Sequence, residues 1–268
     1  MNRLVIVLML ILPCLTQAQE VFFGSGASYS GMAFSGLTFN GRSTATLNPS
    51  MLNFQENSVV GFGVSQPYLL ENLTRVYGYG AFKMGNGFGG LHLKYDGQKS
   101  FNRTGTMVFY SLPLTKGLSA FAEGGYWFSP LRADGTRLSG FTSRFGITGN
   151  WRSWILTANA INPVRQTNGN GSDDIFLYGG TFGLGYSPSD RFWIGLDLYL
   201  MEDRNPEWRY GISYKIVDVF ALRGGISPDL NTWSIGLGIQ WEEWVVDLGY
   251  AQHTVLGQTP EITISYAF

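Results

Sequence analysis

Two histidines, His92 and His253, and one cysteine, Cys14, are the side chains of this 268-residue chain best suited to serve as bases, nucleophiles or soft metal ligands. Hydrolytic chemistry needs a nucleophile–base pair or an Asp–His couple within hydrogen-bond reach. His92 lies between Leu91 and Leu93 and shares a face with Lys94, whereas His253 stands beside Thr254. A histidine next to a hydroxyl could begin such a site, but no supporting motif surrounds it, and a solvated loop histidine is the commoner arrangement. Two histidines on distant segments also make a poor zinc site, which takes four N, S or O ligands. No catalytic residue, metal or cofactor is expected.

The remaining reactive groups are single charges: Lys83, Lys94, Glu123, Arg144, Asp197, Arg209, Lys215, Arg223 and Asp247. Each falls on the inward side of an alternating segment. Both signs are present, so in a wet pore they could set ion selectivity. In a filled interior they would pair with one another and with the filling, because an unpaired buried charge is expensive; pairing is the favoured expectation. Tyr77, Tyr79, Phe121, Trp127 and Tyr199 share those faces. They could line a path for an apolar solute or simply pack.

The alternation itself says what holds these groups. At the end of the chain Ile262, Ile264, Tyr266 and Phe268 fall on one face, and Glu261, Thr263, Ser265 and Ala267 on the other. A period of two sends the sets to opposite sides of a strand. Trp233, Ile235, Leu237, Ile239 and Trp241 oppose Ser234, Gly236, Gly238 and Gln240 in the same way. Trp208, Tyr210, Ile212, Tyr214 and Ile216 oppose Arg209, Gly211, Ser213 and Lys215. A large apolar face set against glycine, serine and single charges is the pattern of a transmembrane β-barrel, with lipid outside and lumen inside. Trp208, Trp233 and Trp241 read as interfacial girdles. The final Phe268, with Tyr266 two residues earlier, resembles the signal by which barrel-assembly machinery recognises its clients.

Composition agrees. Glycine occurs 36 times, aromatics make up 15 % and charged residues only 14 %, against about 25 % charged in ordinary soluble domains. Net charge is −1 with no basic stripe, so no nucleic-acid partner is expected. Strands are predicted near 58–66, 74–84, 86–96, 104–114, 117–128, 138–150, 153–161, 174–187, 190–201, 206–216, 218–226, 231–242, 243–252 and 260–268. These fourteen define an all-β fold, a transmembrane antiparallel barrel over 58–268. Connections alternate between very short and mostly longer ones, the latter at 67–73, 97–103, 129–137, 162–173 and 254–259. Short turns are periplasmic and loops external in bacterial barrels, which places both chain ends in the periplasm. The stretch 168–172, Asn-Gly-Asn-Gly-Ser, reads as the most flexible loop.

The first eighteen residues have a positive start, an apolar run from Leu4 to Leu12 and small residues at Thr16 and Ala18. These are features of a secretory signal peptide, 1–18, cleaved after Ala18. A lipoprotein signal using Cys14 is the alternative, and Pro13 before that cysteine fits it poorly. Either way the address is the outer membrane of a Gram-negative bacterium, in contact with its lipids and lipopolysaccharide. Residues 19–57 do not alternate well and mix small, polar and apolar types, so a hatch or plug folded into the lumen is expected. The alternative is an extra strand pair in a sixteen-stranded barrel.

At Asn48-Pro49-Ser50-Met51-Leu52, which closes a glycine-rich stretch upstream of the first strand, the chain resembles the FadL superfamily. More narrowly it is similar to the PorV/PorQ-like barrels of Bacteroidota, whose motif runs near Asn-Pro-Ala/Ser-x-Leu. The resemblance implies a fourteen-stranded barrel with an N-terminal hatch. Its fatty-acid channels pass hydrophobic molecules sideways into the membrane through a kink in the third strand. Here that strand begins Gly85-Asn-Gly-Phe-Gly-Gly90, making Gly87, Gly89 and Gly90 the candidate kink, although the same residues could merely complete a turn. The outer loops are shorter than the transporters use for capture. The resemblance therefore implies either a channel for a small hydrophobic ligand or a structural and interaction barrel, such as an accessory of a type IX secretion or gliding apparatus.

Overall fold

The structure, a computed structural model, describes residues 24–55, 57–98, 101–129, 138–164 and 178–268. The predicted leader and the 168–172 loop lie outside the described residues. Fourteen antiparallel strands close into one barrel. They are β1 (Val59–Ser65), β2 (Arg75–Met84), β3 (Gly87–Gln98), β4 (Phe101–Thr115), β5 (Leu118–Ser129), β6 (Leu138–Trp151) and β7 (Trp154–Ile161). The second half comprises β8 (Gly179–Ser189), β9 (Phe192–Met201), β10 (Glu207–Val217), β11 (Phe220–Ser227), β12 (Thr232–Trp241), β13 (Trp244–His253) and β14 (Gly257–Ala267). No helix among the described residues is long and apolar enough to cross a membrane.

The side-chain period of two sorts the wall. Phe62, Leu93, Val108, Phe145, Leu156 and Ile235 are among the outward residues and are exposed, while their strand neighbours Gly61, Lys94, Met107, Arg144, Thr157 and Ser234 point inward. Lipid can solvate the first set but offers the backbone no hydrogen bonds, so the ladder must close on itself. Closure is made where β1 meets β14, in register from Val59 opposite Ala267 to Ser65 opposite Glu261. Ser58 and Phe268 extend it by exchanging backbone hydrogen bonds of 3.0 Å in both directions.

One end of the barrel carries six hairpins of two residues each, at 85–86, 116–117, 152–153, 190–191, 218–219 and 242–243. Outward aromatics crowd there: Trp151, Trp154, Trp241 and Trp244 are exposed, and Trp244 packs against Tyr266 at 4.8 Å. Tyr266 in turn stacks on Phe268, so both residues of the expected assembly signal belong to this girdle. Trp208 and Trp233 mark the opposite rim, Trp233 packing on Tyr250.

Two expected loops are shorter than the sequence suggests. β3 and β4 continue to Gln98 and from Phe101, where a connection over 97–103 is predicted. Asp96 faces Arg103 across the pair and binds Arg75 Nε at 2.9 Å. The ladder persists there on polar residues, beyond the stretch that apolar alternation marks. Likewise β14 starts at Gly257, not after 259, because His253 Nδ1 accepts the N–H groups of Val255 and Leu256, both at 3.0 Å, and tightens the turn.

At the seam, Gly61 and Gly63 of β1 lie beneath the rings of Tyr79 and Tyr77, their partners on β2. A Cβ on Gly63 would fall 2.2 Å from the Tyr77 ring. That ring carries its hydroxyl across β1 to Glu261 Oε1 and Thr263 Oγ1 of β14, each at 2.6 Å. Gly63→Val should displace the ring and cost the seam about 1–3 kcal/mol. A lowered midpoint of the heat-induced mobility shift in gel electrophoresis would report it, and Gly78→Val, whose Cβ has no close neighbour but Gly61 O at 3.7 Å, should change that midpoint far less.

Candidate functional site

The lumen holds residues 24–55. The segment has almost no regular structure: one helical turn, α1 (Ala27–Ser30), a second, α2 (Thr44–Leu47), and a 3-10 stretch from Pro49 to Phe54. Such a chain cannot satisfy its own backbone, so the barrel must do it. Gly26 N–H donates to Glu261 Oε1 at 3.0 Å and Ala27 N–H to Thr263 Oγ1 at 2.8 Å, both on β14. On the far side, Gly36 and Leu37 N–H donate to Asp197 Oδ2 of β9 at 2.6 and 3.0 Å. Arg209 of β10 reaches Phe34 O at 3.5 Å and lies 3.8 Å over the Tyr199 ring.

The deepest fixing point is Arg144 of β6, which is 1 % exposed. Its guanidinium donates to Glu123 of β5, through Nε at 3.1 Å and through a second, shorter bond from Nη2. It also donates to the backbone carbonyls of Leu47 and Thr46, at the end of α2. His92 Nε2 holds the other Glu123 oxygen at 2.9 Å. One carboxylate thus fixes an arginine whose remaining donors cap the inner segment, with the Phe121 ring 5.2 Å beneath. Of the other inward charges, Arg223 pairs with Asp247 at 2.6 Å and Arg209 with Glu207 at 3.0 Å. Lys215 has no ion pair among the described residues, and Lys83 is exposed.

The motif residues anchor the same segment. Asn48 Nδ2 donates to Leu37 O at 2.7 Å and to Thr148 and Thr157 hydroxyls of β6 and β7 at 3.1 and 3.2 Å. Ser50 shares a 2.6 Å bond with Thr148. Pro49 opens the 3-10 stretch, where its missing N–H costs nothing. Leu52 is fully buried among Val59, Tyr77, Phe88 and Phe109.

Close approach needs small inward residues. A Cβ on Gly225 would lie 2.3 Å from Met32 C, on Gly236 3.0 Å from Gly31 Cα and on Gly249 2.5 Å from Ala27 O. These glycines, which the sequence shows only as a small-residue face, are seats for the inner backbone. The five aromatics of the expected path are all inward and buried but are dispersed. Tyr77 and Tyr79 pack with Leu52 near β1, Tyr199 with Met32 and Trp193 near β9, Phe121 lies under Arg144, and Trp127 covers Gly105. At the expected kink, β3 pairs with β2 from Gly87 to Asp96 and with β4 from Phe88 to Gln98 with no register shift. There Gly90 makes room for the Phe109 ring and Gly89 for Met84.

No protein-family model matches the sequence, and no curated protein does. Solved structures of the same fold do match. A FadL homologue of Pseudomonas aeruginosa aligns over 92 % of this chain and 99 % of its own, with a TM-score of 0.67 and 11 % identity. The toluene transporter TbuX of Ralstonia pickettii covers 92 % and 98 %, at 0.63 and 10 %. The toluene transporter TodX of Pseudomonas putida covers 94 % and 98 %, at 0.61 and 13 %.

Because Glu123 is held by Arg144, Arg144→Met should leave a buried, half-paired carboxylate and cost about 3–5 kcal/mol. Adding Glu123→Gln to that variant should recover part of the loss. Urea unfolding midpoints of the two variants in detergent check this; a double variant no more stable than the single one would contradict the pairing as the cause.

Proposed function

We propose that this barrel is an outer-membrane channel for small hydrophobic molecules, with residues 24–55 acting as its hatch. The observation that supports the reading is a segment that occupies the fourteen-stranded lumen without being one of its strands. The segment is joined to the wall by separate hydrogen bonds at β14, β9, β6 and β7 and is not itself a strand of the sheet. The shared fold with proteins described as toluene transporters supports it. In this reading 1–18 is removed on export and the two-residue-turn end faces the periplasm. The Asn48–Leu52 motif supports the narrower PorV-like affinity. A sideways exit at Gly87, Gly89 and Gly90 would require β3 to part from β2 or β4 near its start.

The unbroken pairing of β3 favours a second reading, a closed barrel acting as a membrane anchor for protein partners, such as those of a secretion or gliding apparatus. Toluene uptake separates the two. Cells producing the protein should take up toluene several-fold faster than cells without it. Equal uptake, with the folded barrel present in the outer membrane, would leave the anchor reading standing. The hatch assignment has its own check: deleting residues 20–50 should raise single-channel conductance sharply in planar bilayers, and an unchanged conductance from a folded barrel would refute it.

A further inference from the structure

A cavity of about 460 Å³ opens at the two-residue-turn end, between the inner segment and the ends of β7 to β13. Its volume lies in the range of small-molecule sites. Four cations line it, Arg42, Arg191, Lys215 and Arg223, against three carboxylates, Asp190, Asp218 and Asp247. Arg223 is occupied by Asp247 and Arg191 by Asp218. Arg42 and Lys215 are half-buried and have no carboxylate within ion-pair distance among the described residues, and Asp190 stands exposed on its turn.

The rest of the lining is mixed: Asn40, Gln55, Asn57, Ser187, Ser213 and Gln240 are polar, and an apolar patch lies among them. Phe39 meets the Trp193 ring edge-on at 5.2 Å, and Ile155 and Val245 are buried beside them. We propose that this cavity binds a small organic anion with an apolar body, an aryl carboxylate being the simplest case. Arg42 and Lys215 would meet the carboxylate, and Phe39, Trp193, Ile155 and Val245 the ring. A neutral hydrocarbon would leave both cations unanswered, and a bare inorganic anion would leave the patch of Phe39, Trp193, Ile155 and Val245 wet. The inference stands on this cavity alone and holds whether or not the barrel conducts.

The test uses the purified full-length barrel in detergent, with benzoate as the probe and tryptophan fluorescence and calorimetry as readouts. Benzoate should bind at least about tenfold tighter than benzyl alcohol, which has the same ring without the charge, and than inorganic phosphate. Arg42→Gln and Lys215→Gln should each weaken benzoate by about tenfold while leaving the heat-induced mobility shift unchanged, since neither side chain holds an ion pair. Benzoate binding no tighter than benzyl alcohol would overturn the role of the cations. Phosphate binding as tight as benzoate would overturn that of the apolar patch, and no effect of either substitution would overturn the site.

Discussion

Every backbone N–H and C=O that faces lipid must find its partner within the protein. That demand makes the sheet close, and closure at β1 and β14 encloses a lumen that must then be filled or wetted. Fourteen strands enclose more volume than inward side chains occupy, since an eight-stranded barrel is about the size that side chains alone can fill. What occupies the difference here is residues 24–55, and the inward chemistry of the wall is organised around holding them. Asp197, Glu261, Thr263 and Ser234 present acceptors to backbone N–H groups, and Arg144 presents donors to backbone carbonyls.

The wall and its contents are joined in two ways that differ in reversibility. The hydrogen bonds to Asp197, Glu261 and Arg144 are polar and could be exchanged for water if the lumen were wetted. The glycine seats at 225, 236 and 249 are steric: they set how near the backbone can come, and so which part of the segment each bond can reach. A channel and a permanently filled anchor would share the second kind of contact. They differ in whether the first kind is ever given up, which is why uptake and conductance discriminate between them.

The strands were legible in the sequence because lipid and lumen impose opposite polarity on neighbouring residues, and a period of two survives in the text. It faded at the end of β3 and the start of β4, where Asp96 and Arg103 still face each other across the pair without an apolar alternation to mark them. The inner segment was legible only as a failure of periodicity. Its anchors were not, because Arg144 and Leu47 lie 97 positions apart and Gly36 and Asp197 lie 161 apart, with no local pattern linking them. Trp193 was within reach, since it shares parity with Asp197 and Tyr199. Glycines at the start of β3 were ambiguous for a physical reason: a residue without a side chain serves a bend and a neighbouring ring equally well.

The bond between Gly26 and Glu261 joins positions 235 apart, nearly the two ends of the described chain. Contacts of such sequence separation form slowly, because the intervening chain must be ordered first. The inner segment precedes every strand, yet one of its principal partners belongs to the last. Its polar anchorage is therefore complete only with β14, whereas its apolar residues Met32, Leu37 and Leu47 pack against Ile161, Trp193, Tyr199 and Met201 of β7 and β9, which come earlier in the chain.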